Sequence, residues 1–258
     1  MNNKEKLEQS KSQRLGEIAY NTYGTLMKIV EYKNNKDITI EFQDEYKIKR
    51  KTDYKCFRRG GIKNPYDKEV CGVAFIGEGE YNSKFHRKAY LYWKCMIERC
   101  YDPYELNKRP TYIDCTVCKE WLNFQNFAKW YEENYYECNE HKMSLDKDIL
   151  VKGNKIYSPE TCIFVPMNIN DMFTKSDAKR GEYPIGVSFL RGKLEVQCHD
   201  GRKNKYIGLF KINQVREAWL CYKLNKELVI QSIAEEYKDR IPNKLYEALY
   251  RYEVEIYD

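Results

Sequence analysis

Residues 185–210 read IGVSFLRGKLEVQCHDGRKNKYIGLF, and this stretch decides the fold of the C-terminal part of the chain. Apolar and polar residues alternate along most of it, which predicts β-strands that bury one face. The dipeptide Asp200-Gly201 is typical of a hairpin turn. A helical pattern follows from about Asn213, a residue type that often caps a helix N-terminus. Residues 183–226 therefore predict three short strands followed by a helix.

The predicted sheet has a second, polar face. If Leu194, Val196 and Cys198 point into the core, the residues between them point outward, because side chains alternate along a strand. Between Lys179 and Lys226, eleven Lys and Arg residues stand against four Asp and Glu. Such a face can enter the major groove of DNA, although an ordinary solvated face carries the same charge pattern. The side chains concerned are Lys193, Glu195, Gln197 and His199 on the strand, and Arg191, Arg202, Lys203, Asn204, Lys205 and Tyr206 beside it.

The N-terminal part of the chain predicts a small antiparallel β module. Apolar residues alternate in two runs, at residues 26–31 and 37–42, on either side of a turn at Asn34-Asn35. After this module, Gly77 and Gly79 lack the further glycine and the lysine of a phosphate-binding loop. We interpret this glycine-rich stretch as a connector.

The centre of the chain predicts helices and then a ββα outline. Aromatic and aliphatic residues recur at helical spacing near residues 89–100 and again at residues 121–131, and such stripes are usually core. A short strand, a turn, a second strand and a helix follow. These last elements are expected at Leu145–Leu150, at Cys162–Val165 and from Pro166 onward.

Composition limits the class of protein. With 258 residues, a mean hydropathy of -0.81 and no run of about eighteen apolar residues, the chain does not match an integral membrane protein. An aromatic share of 15% supports a folded core. The net charge of +6 is mild, so a nucleic-acid surface would arise from local clustering. No secretory signal opens the sequence, and we expect the ten cysteines to be reduced thiols in the cytoplasm.

Four short motifs of the C-terminal module resemble the AP2 domain. They are Ile185-Gly186-Val187-Ser188, Gly192-Lys193-Leu194, Tyr206-Ile207-Gly208-Leu209-Phe210, and Glu217-Ala218-Trp219 with Tyr222. The resemblance implies a three-stranded sheet that reads DNA and one helix that braces it. It also implies the DNA-contacting side chains, although several of these positions are often Arg or Trp in that family. The implied side chains are Ser188, Gln197, His199, Asn204 and Tyr206, with Arg191 and Lys193 in the first hairpin.

Residues 90–173 resemble the HNH-type proteins that phages encode. HNH followed by AP2 is a known pairing in homing-endonuclease-like phage proteins, and residues 20–72 resemble an accessory β module that precedes such regions. The motifs are Trp93-x-x-Met96-Ile97-x-Arg99-Cys100-Tyr101, Val117-Cys118-Lys119-Glu120-Trp121, Leu145-Asp146-Lys147-Asp148-Ile149 and Tyr157-Ser158-Pro159-Glu160-Thr161-Cys162.

An HNH nuclease implies a histidine base on the first strand, an asparagine, a residue on the helix and one divalent metal ion, here Mg²⁺. This sequence has Lys147 at the histidine position and Thr161 at the asparagine position. A lysine, with an ordinary pKa of about 10.4, is a poor base at neutral pH unless it is buried. The candidate catalytic residues that remain are Asp146, Lys147 and Asn170, and we interpret them as a degenerate site.

Cysteine spacing offers a structural zinc site as a rival interpretation. Cys115-x-x-Cys118 and Cys138-x-x-His141 could supply the four ligands that zinc prefers. The residues between the two pairs have the pattern of an amphipathic helix, which favours buried thiols over zinc. A zinc site is therefore not favoured, and it stays open.

Together these patterns predict the α+β class with three domains: a β module at residues 15–75, an HNH-like region at 85–175 and an AP2-like module with C-terminal helices at 183–258. We expect a phage-type protein that binds double-stranded DNA in the cytoplasm of the host cell, with no membrane partner. One alternative is an active metal-dependent endonuclease that nicks or cleaves DNA. Another is a non-catalytic phage inhibitor of a host defence protein.

Overall fold

The computed structural model describes residues 3–138, 141–173, 182–201 and 203–256. The chain divides into two compact units, Met1–Glu132 and Glu133–Asp258. Helices and small separate sheets occur in both units, so the predicted α+β class is confirmed. The division falls inside the predicted central region of residues 85–175, and the limits of the three predicted domains stay a prediction.

A helix and a four-stranded antiparallel sheet open the first unit. The strands are hydrogen-bonded in chain order, and Asn34 opposite Asp37 closes the predicted hairpin. Met27, Ile29 and Ile40 are fully buried on one face and form the core of this sheet. The elements are α1 (Asn3–Arg14), β1 (Ile18–Tyr20), β2 (Leu26–Asn34), β3 (Asp37–Phe42), β4 (Lys49–Thr52) and α2 (Tyr54–Arg58).

Aromatic side chains form the core of the helical part of the first unit. Trp93 and Phe124 are fully buried, and Nε1 of Trp93 donates a hydrogen bond to the carbonyl oxygen of Trp121 at 2.6 Å. The aromatic stripes predicted as core are therefore confirmed. The elements are α3 (Arg87–Tyr101), α4 (Pro103–Lys108), a 3₁₀ turn (Pro110–Tyr112), β5 (Thr116–Val117), a second 3₁₀ turn (Lys119–Leu122) and α5 (Phe124–Asn134).

The glycine-rich connector packs closely against the start of α5. Gly77 has a φ of +74°, and a β-carbon there would overlap the side-chain amide of Asn123. At Gly79 a β-carbon would overlap the amide of Gln125, which donates a hydrogen bond to the carbonyl oxygen of Tyr81 at 2.9 Å. Close packing therefore explains both glycines without a phosphate-binding role.

The ββα outline lies in the second unit. The first strand ends at Asp146, so the prediction that it continues to Leu150 is wrong. Oδ1 of Asp146 accepts hydrogen bonds from the backbone N–H groups of Asp148 and Ile149, which turns the chain out of the strand. The elements are β6 (Met143–Asp146), β7 (Ile156–Tyr157), β8 (Ile163–Pro166), α6 (Met167–Asn170) and a 3₁₀ turn (Asp171–Phe173), with β6 and β8 antiparallel.

Three strands and a long helix follow, as the sequence predicts. The long helix packs on the middle strand, whose Leu194 and Val196 are fully buried. The helix N-cap is Gln214, so the prediction of Asn213 as the cap is wrong by one residue. No helix in the described ranges is both long and apolar enough to cross a membrane. The elements are β9 (Val187–Leu190), β10 (Lys193–His199), β11 (Asn204–Lys211), α7 (Val215–Tyr237) and α8 (Asn243–Tyr250), with the sheet ordered β11-β10-β9.

Candidate nucleic-acid interface

The register of the three-stranded sheet decides which side chains share its exposed face. Residues directly opposite each other in an antiparallel pair lie on the same face. Lys193 of β10 lies opposite Leu190 of β9 and Lys211 of β11, and Gln197 lies opposite Tyr206. We call the face turned away from α7 the outer face. Its residues are Ser188, Leu190, Lys193, Glu195, Gln197, His199, Asn204, Tyr206, Leu209 and Lys211.

A β-bulge in β11 sets the direction of Tyr206. Val196 pairs with Gly208 but Gln197 pairs with Tyr206, so Ile207 is an extra residue in this strand. Without the bulge, strict alternation from Gly208 would place Tyr206 on the same buried face. The bulge instead brings Tyr206 to the outer face, where it is 59% exposed.

Two amide side chains on the outer face can make new hydrogen bonds. Gln197 and Asn204 are exposed, and no described residue offers their amides a hydrogen-bond partner. An amide can donate to and accept from adenine in a bidentate pair. Nδ1 of His199 accepts a hydrogen bond from the backbone N–H of Gly201 at 3.2 Å, so the neutral ring carries its proton on Nε2. Ser188 is engaged within the sheet, since its hydroxyl donates weakly to the carbonyl oxygen of Glu195 at 3.5 Å.

Positive side chains surround the outer face. Between residues 187 and 211 the sequence has six Lys and Arg against two Asp and Glu. Arg191 is exposed at the β9–β10 turn with a φ of +50°, and Lys193 and Lys211 pair across one end of the sheet. Lys203 is exposed at the β10–β11 turn. These four cations, which we call the cationic rim, can contact phosphates on either side of a bound groove.

Two of the predicted DNA-contacting residues, Lys205 and Arg202, are not part of the outer face or the cationic rim as defined above. Lys205 pairs with the buried Cys198, so it lies on the face opposite to the outer face. Its Nζ is 3.0 Å from Oδ2 of Asp200, and this ion pair holds it at the β10–β11 turn. Arg202 lies outside the described residues.

A lysine and a thiol are buried behind the sheet. Lys226 of α7 is 7% exposed and Cys198 is 2% exposed. Burial lowers the pKa of Lys226 and raises the pKa of Cys198. Both groups belong to the core that holds the helix on the sheet, and neither can reach a ligand on the outer face.

The predicted catalytic residues lie at the end of β6, directly after it and at the end of α6. Burial raises the pKa of Asp146 to about 6, and the negative charge of Asp148 acts in the same direction. Lys147 is 8% exposed, with its Nζ 3.4 Å from Oδ2 of Asp148 and 5.9 Å from the ring centroid of Tyr157. Asn170 ends α6, and within the described ranges it makes no hydrogen bond to Asp146.

The side chains around Asp146 do not fit Mg²⁺, which prefers about six oxygen ligands in octahedral geometry. Oδ1 of Asp146 is already used by two backbone N–H groups, and Asp148 pairs with Lys147. Over the residues that the structure describes, no group of three or more His, Cys, Asp and Glu side chains could hold a metal ion. The arrangement suits a turn-forming role for Asp146.

The four proposed zinc ligands are placed as follows. Cys115 is buried, and its thiol donates weakly to the carbonyl oxygen of Thr111 at 3.9 Å, whereas Cys118 is half-buried. Nε2 of His141 lies 3.1 Å from the hydroxyl of Tyr237, and burial raises the pKa of Cys138. No disulfide bond joins any of the ten cysteines, all of which lie in the described ranges. Zinc binding stays a prediction.

Sequence reasoning missed the outer-face residues Leu190, Leu209 and Lys211. The alternation along β9 and β11 was the available signal, but the bulge at Ile207 interrupts it. Comparisons with protein-family models, with curated proteins and with solved structures found no match. The resemblances to AP2 and HNH proteins therefore rest on the motifs of the sequence.

Proposed function

We propose that this chain binds double-stranded DNA through the outer face of its three-stranded sheet. The observation that carries the proposal is a pair of exposed amides, Gln197 and Asn204, inside a cationic rim. A two-stranded or three-stranded sheet can enter the major groove, where cations position the protein and amides contact base edges. The AP2-like motifs of the same segment support this assignment.

The outer face favours A·T base pairs among the sequences that it could contact. Gln197 and Asn204 suit the N6 and N7 groups of adenine. Leu190 and Leu209 are 47% and 49% exposed, and such apolar side chains can contact the methyl group of thymine. Glu195 can accept from the amino group of cytosine and repels phosphates, so it favours contact with bases over contact with the backbone.

We propose that binding occurs without efficient cleavage. Asp146 is used by the turn that follows β6, and Lys147 pairs with Asp148. A general base is worth about 10²–10⁴-fold in rate. At the position where the HNH resemblance implies that base stands Lys147, whose Nζ is 3.4 Å from Oδ2 of Asp148. The place of action that we propose is the cytoplasm of the host cell, which the lack of disulfide bonds among the ten cysteines supports.

The test is selection of binding sites from a random duplex pool by wild type, Gln197→Ala and Asn204→Ala. We expect wild type to enrich an A·T-containing site, and each variant to lose about 1–3 kcal/mol of preference at one base position. Asn243→Ala is the control, because it removes an exposed amide from α8 in the same unit. A pool without enriched sequence, or the same enriched site with all four proteins, would contradict the proposal.

A second candidate function is binding of a host protein, as expected of an inhibitor of host defence. The observation that favours it is a stripe of leucines on α7: Leu220, Leu224 and Leu228 are 39%, 61% and 63% exposed. Their four-residue spacing places them on one side of the helix. Recovery of one host protein at high salt after nuclease treatment, by wild type but not by Leu224→Glu, would support this function. Equal recovery by both proteins would contradict it.

A further inference from the structure

Phe85 is the most exposed large apolar side chain in the described residues. Its side chain is 82% accessible to solvent, whereas the aromatic residues of α3 and α5 are mostly buried. Exposure of a phenyl ring forfeits the free energy that burial of its apolar surface would supply. A ring held in this position is available to a partner.

The loop that carries Phe85 is held by hydrogen bonds at both ends. Before the ring, the backbone N–H of Tyr81 donates to Oε1 of Gln125 at 3.0 Å. Asn82 donates from its backbone N–H to Nδ1 of His86 at 3.0 Å, and its carbonyl oxygen accepts the N–H of His86 at 2.8 Å. The imidazole of His86 also lies edge-on to the ring of Tyr81, 5.2 Å away. Phe85 therefore projects from a closed turn directly before α3.

The segment that follows residue 80 carries charge of one sign, whereas Glu78 and Glu80 lie directly before it. From residue 81 to residue 97 the sequence contains four Lys and Arg and no Asp or Glu. Lys84, Arg87 and Lys88 are exposed, and they flank the ring on both sides. An acidic side chain near this turn is Glu132, whose Oε1 lies 3.8 Å from Nε2 of His86. The surface formed by residues 84–88, which we call the Phe85 patch, therefore complements a polyanion.

We propose that the Phe85 patch is a second nucleic-acid contact, in which the phenyl ring stacks on a base while Lys84 and Arg87 neutralise the flanking phosphates. Aromatic stacking beside cations is the way that proteins hold bases that are not stacked on their neighbours. The base can come from a single strand or from an opened step of a duplex, where apolar side chains act as wedges. The inference rests on the proposed function only in taking nucleic acid as the partner.

The experiment measures fluorescence anisotropy of a labelled 20-nucleotide single strand and of a 20-base-pair duplex with the full chain. Phe85→Ala should weaken binding to one or both DNAs by about 5- to 150-fold, as expected for loss of one stacked base. Phe85→Trp should retain the affinity, and the fluorescence of the new exposed indole should fall on binding. Ile113→Ala is the matched control, since Ile113 is 63% exposed in the same unit and has no such cationic flank.

The two DNAs separate the sources of the base. If Phe85→Ala loses affinity for the single strand alone, the ring contacts an unpaired base. If it loses affinity for the duplex, the ring contacts an opened base step. Either result supports the inference. Unchanged affinity of Phe85→Ala for both DNAs overturns it. The inference is also overturned if Phe85→Ala loses binding to vesicles of anionic lipid but keeps its affinity for both DNAs.

Failure of this inference is distinguishable from failure of the proposed function. Lys193→Glu with Lys203→Glu changes the cationic rim and leaves the Phe85 patch intact. If that double variant loses duplex binding while Phe85→Ala keeps its affinity for both DNAs, the outer face stands and the Phe85 patch is overturned. If Phe85→Ala alone loses binding, the Phe85 patch stands and the outer face is overturned. Wild type that binds neither DNA overturns both.

Discussion

Asp146 lies in the segment that resembles an HNH motif, and its side chain holds the turn that follows β6. Its carboxylate accepts hydrogen bonds from the N–H groups of Asp148 and Ile149, at 2.8 and 2.7 Å. We predict that Asp146→Ala destabilises the protein by about 1–3 kcal/mol, because two donors lose their acceptor. Asp146→Asn keeps an oxygen at this place and should cost less. Urea unfolding at pH 7 measures both, and an Ala variant as stable as wild type would contradict the turn-forming role.

The raised pKa of Asp146 predicts a pH dependence with a definite sign. The unfolded carboxyl loses its proton near pH 3.8, whereas the folded carboxyl loses it near pH 6. Between these values the folded state binds more protons than the unfolded state, so the stability of wild type falls as pH rises from about 4 to 6. Asp146→Asn lacks this contribution. Subtraction of the two stability curves, measured from pH 4 to pH 7.5, should show the fall; a flat difference would contradict the assigned pKa.

Residue types at this site were easier to predict than their roles. The presence of Lys147 where the HNH resemblance implies a histidine base is visible in the sequence, and the lack of a general base there stays a prediction. The backbone partners of Asp146 cannot be predicted from the sequence, because they depend on a turn of the chain at Asp148. The residue types of positions 145–150 are typical of a strand and do not indicate that turn. The burial that raises the pKa of Asp146 likewise arises only from tertiary packing.

At the scale of elements, the contact between the sheet and α7 depends on Gly186. A β-carbon at this position would overlap the ring of Tyr222 on α7, and the φ of Gly186 is +77°. Gly192 has a similar φ of +81°, but no described atom lies within 4 Å of the place that its β-carbon would take, so it is a matched control for backbone strain alone. We predict that Gly192→Ala costs about 1–2 kcal/mol and that Gly186→Ala costs about 1–3 kcal/mol more.

Thermal unfolding of the two variants measures this difference. Because Tyr222 is 6% exposed in the core beneath the sheet, its displacement should also weaken the packing of α7 on β10. Equal melting temperatures for Gly186→Ala and Gly192→Ala would show that the ring of Tyr222 moves aside without cost. That result would contradict the claim that the packing of α7 on the sheet depends on Gly186.

Strong alternation made the longer elements predictable, and irregularities made the others difficult. β3 and β10 have clear period-two patterns with one buried face, so both were predicted within a few residues. β1 has three residues with mostly exposed side chains, so it has no pattern to detect. The bulge at Ile207 arises from the register between two strands, so it cannot be predicted from the residues of either strand alone. The outer face was therefore predicted only in part.

At the scale of the whole molecule, a net charge of +6 is too small to explain strong DNA binding. We place the effective charge in the cationic rim, from which about four phosphate contacts would arise, and each contact with duplex DNA contributes about 0.9 to the dependence of log affinity on log salt concentration. The central claim is that DNA binding depends on where the positive charges lie and not on the net charge.

The most direct test is the salt dependence of duplex affinity for wild type and two charge-reversed double variants. Lys193→Glu with Lys203→Glu alters the cationic rim. Lys238→Glu with Lys244→Glu is the control, because it changes the net charge equally at exposed positions outside the rim. Lys238 follows α7, and Lys244 lies in α8. We predict a wild-type slope of about -4, a weaker affinity and a slope shallower by about 2 for the rim variant, and no comparable change for the control. A flat wild-type slope, or equal losses for both double variants, would contradict binding through the outer face.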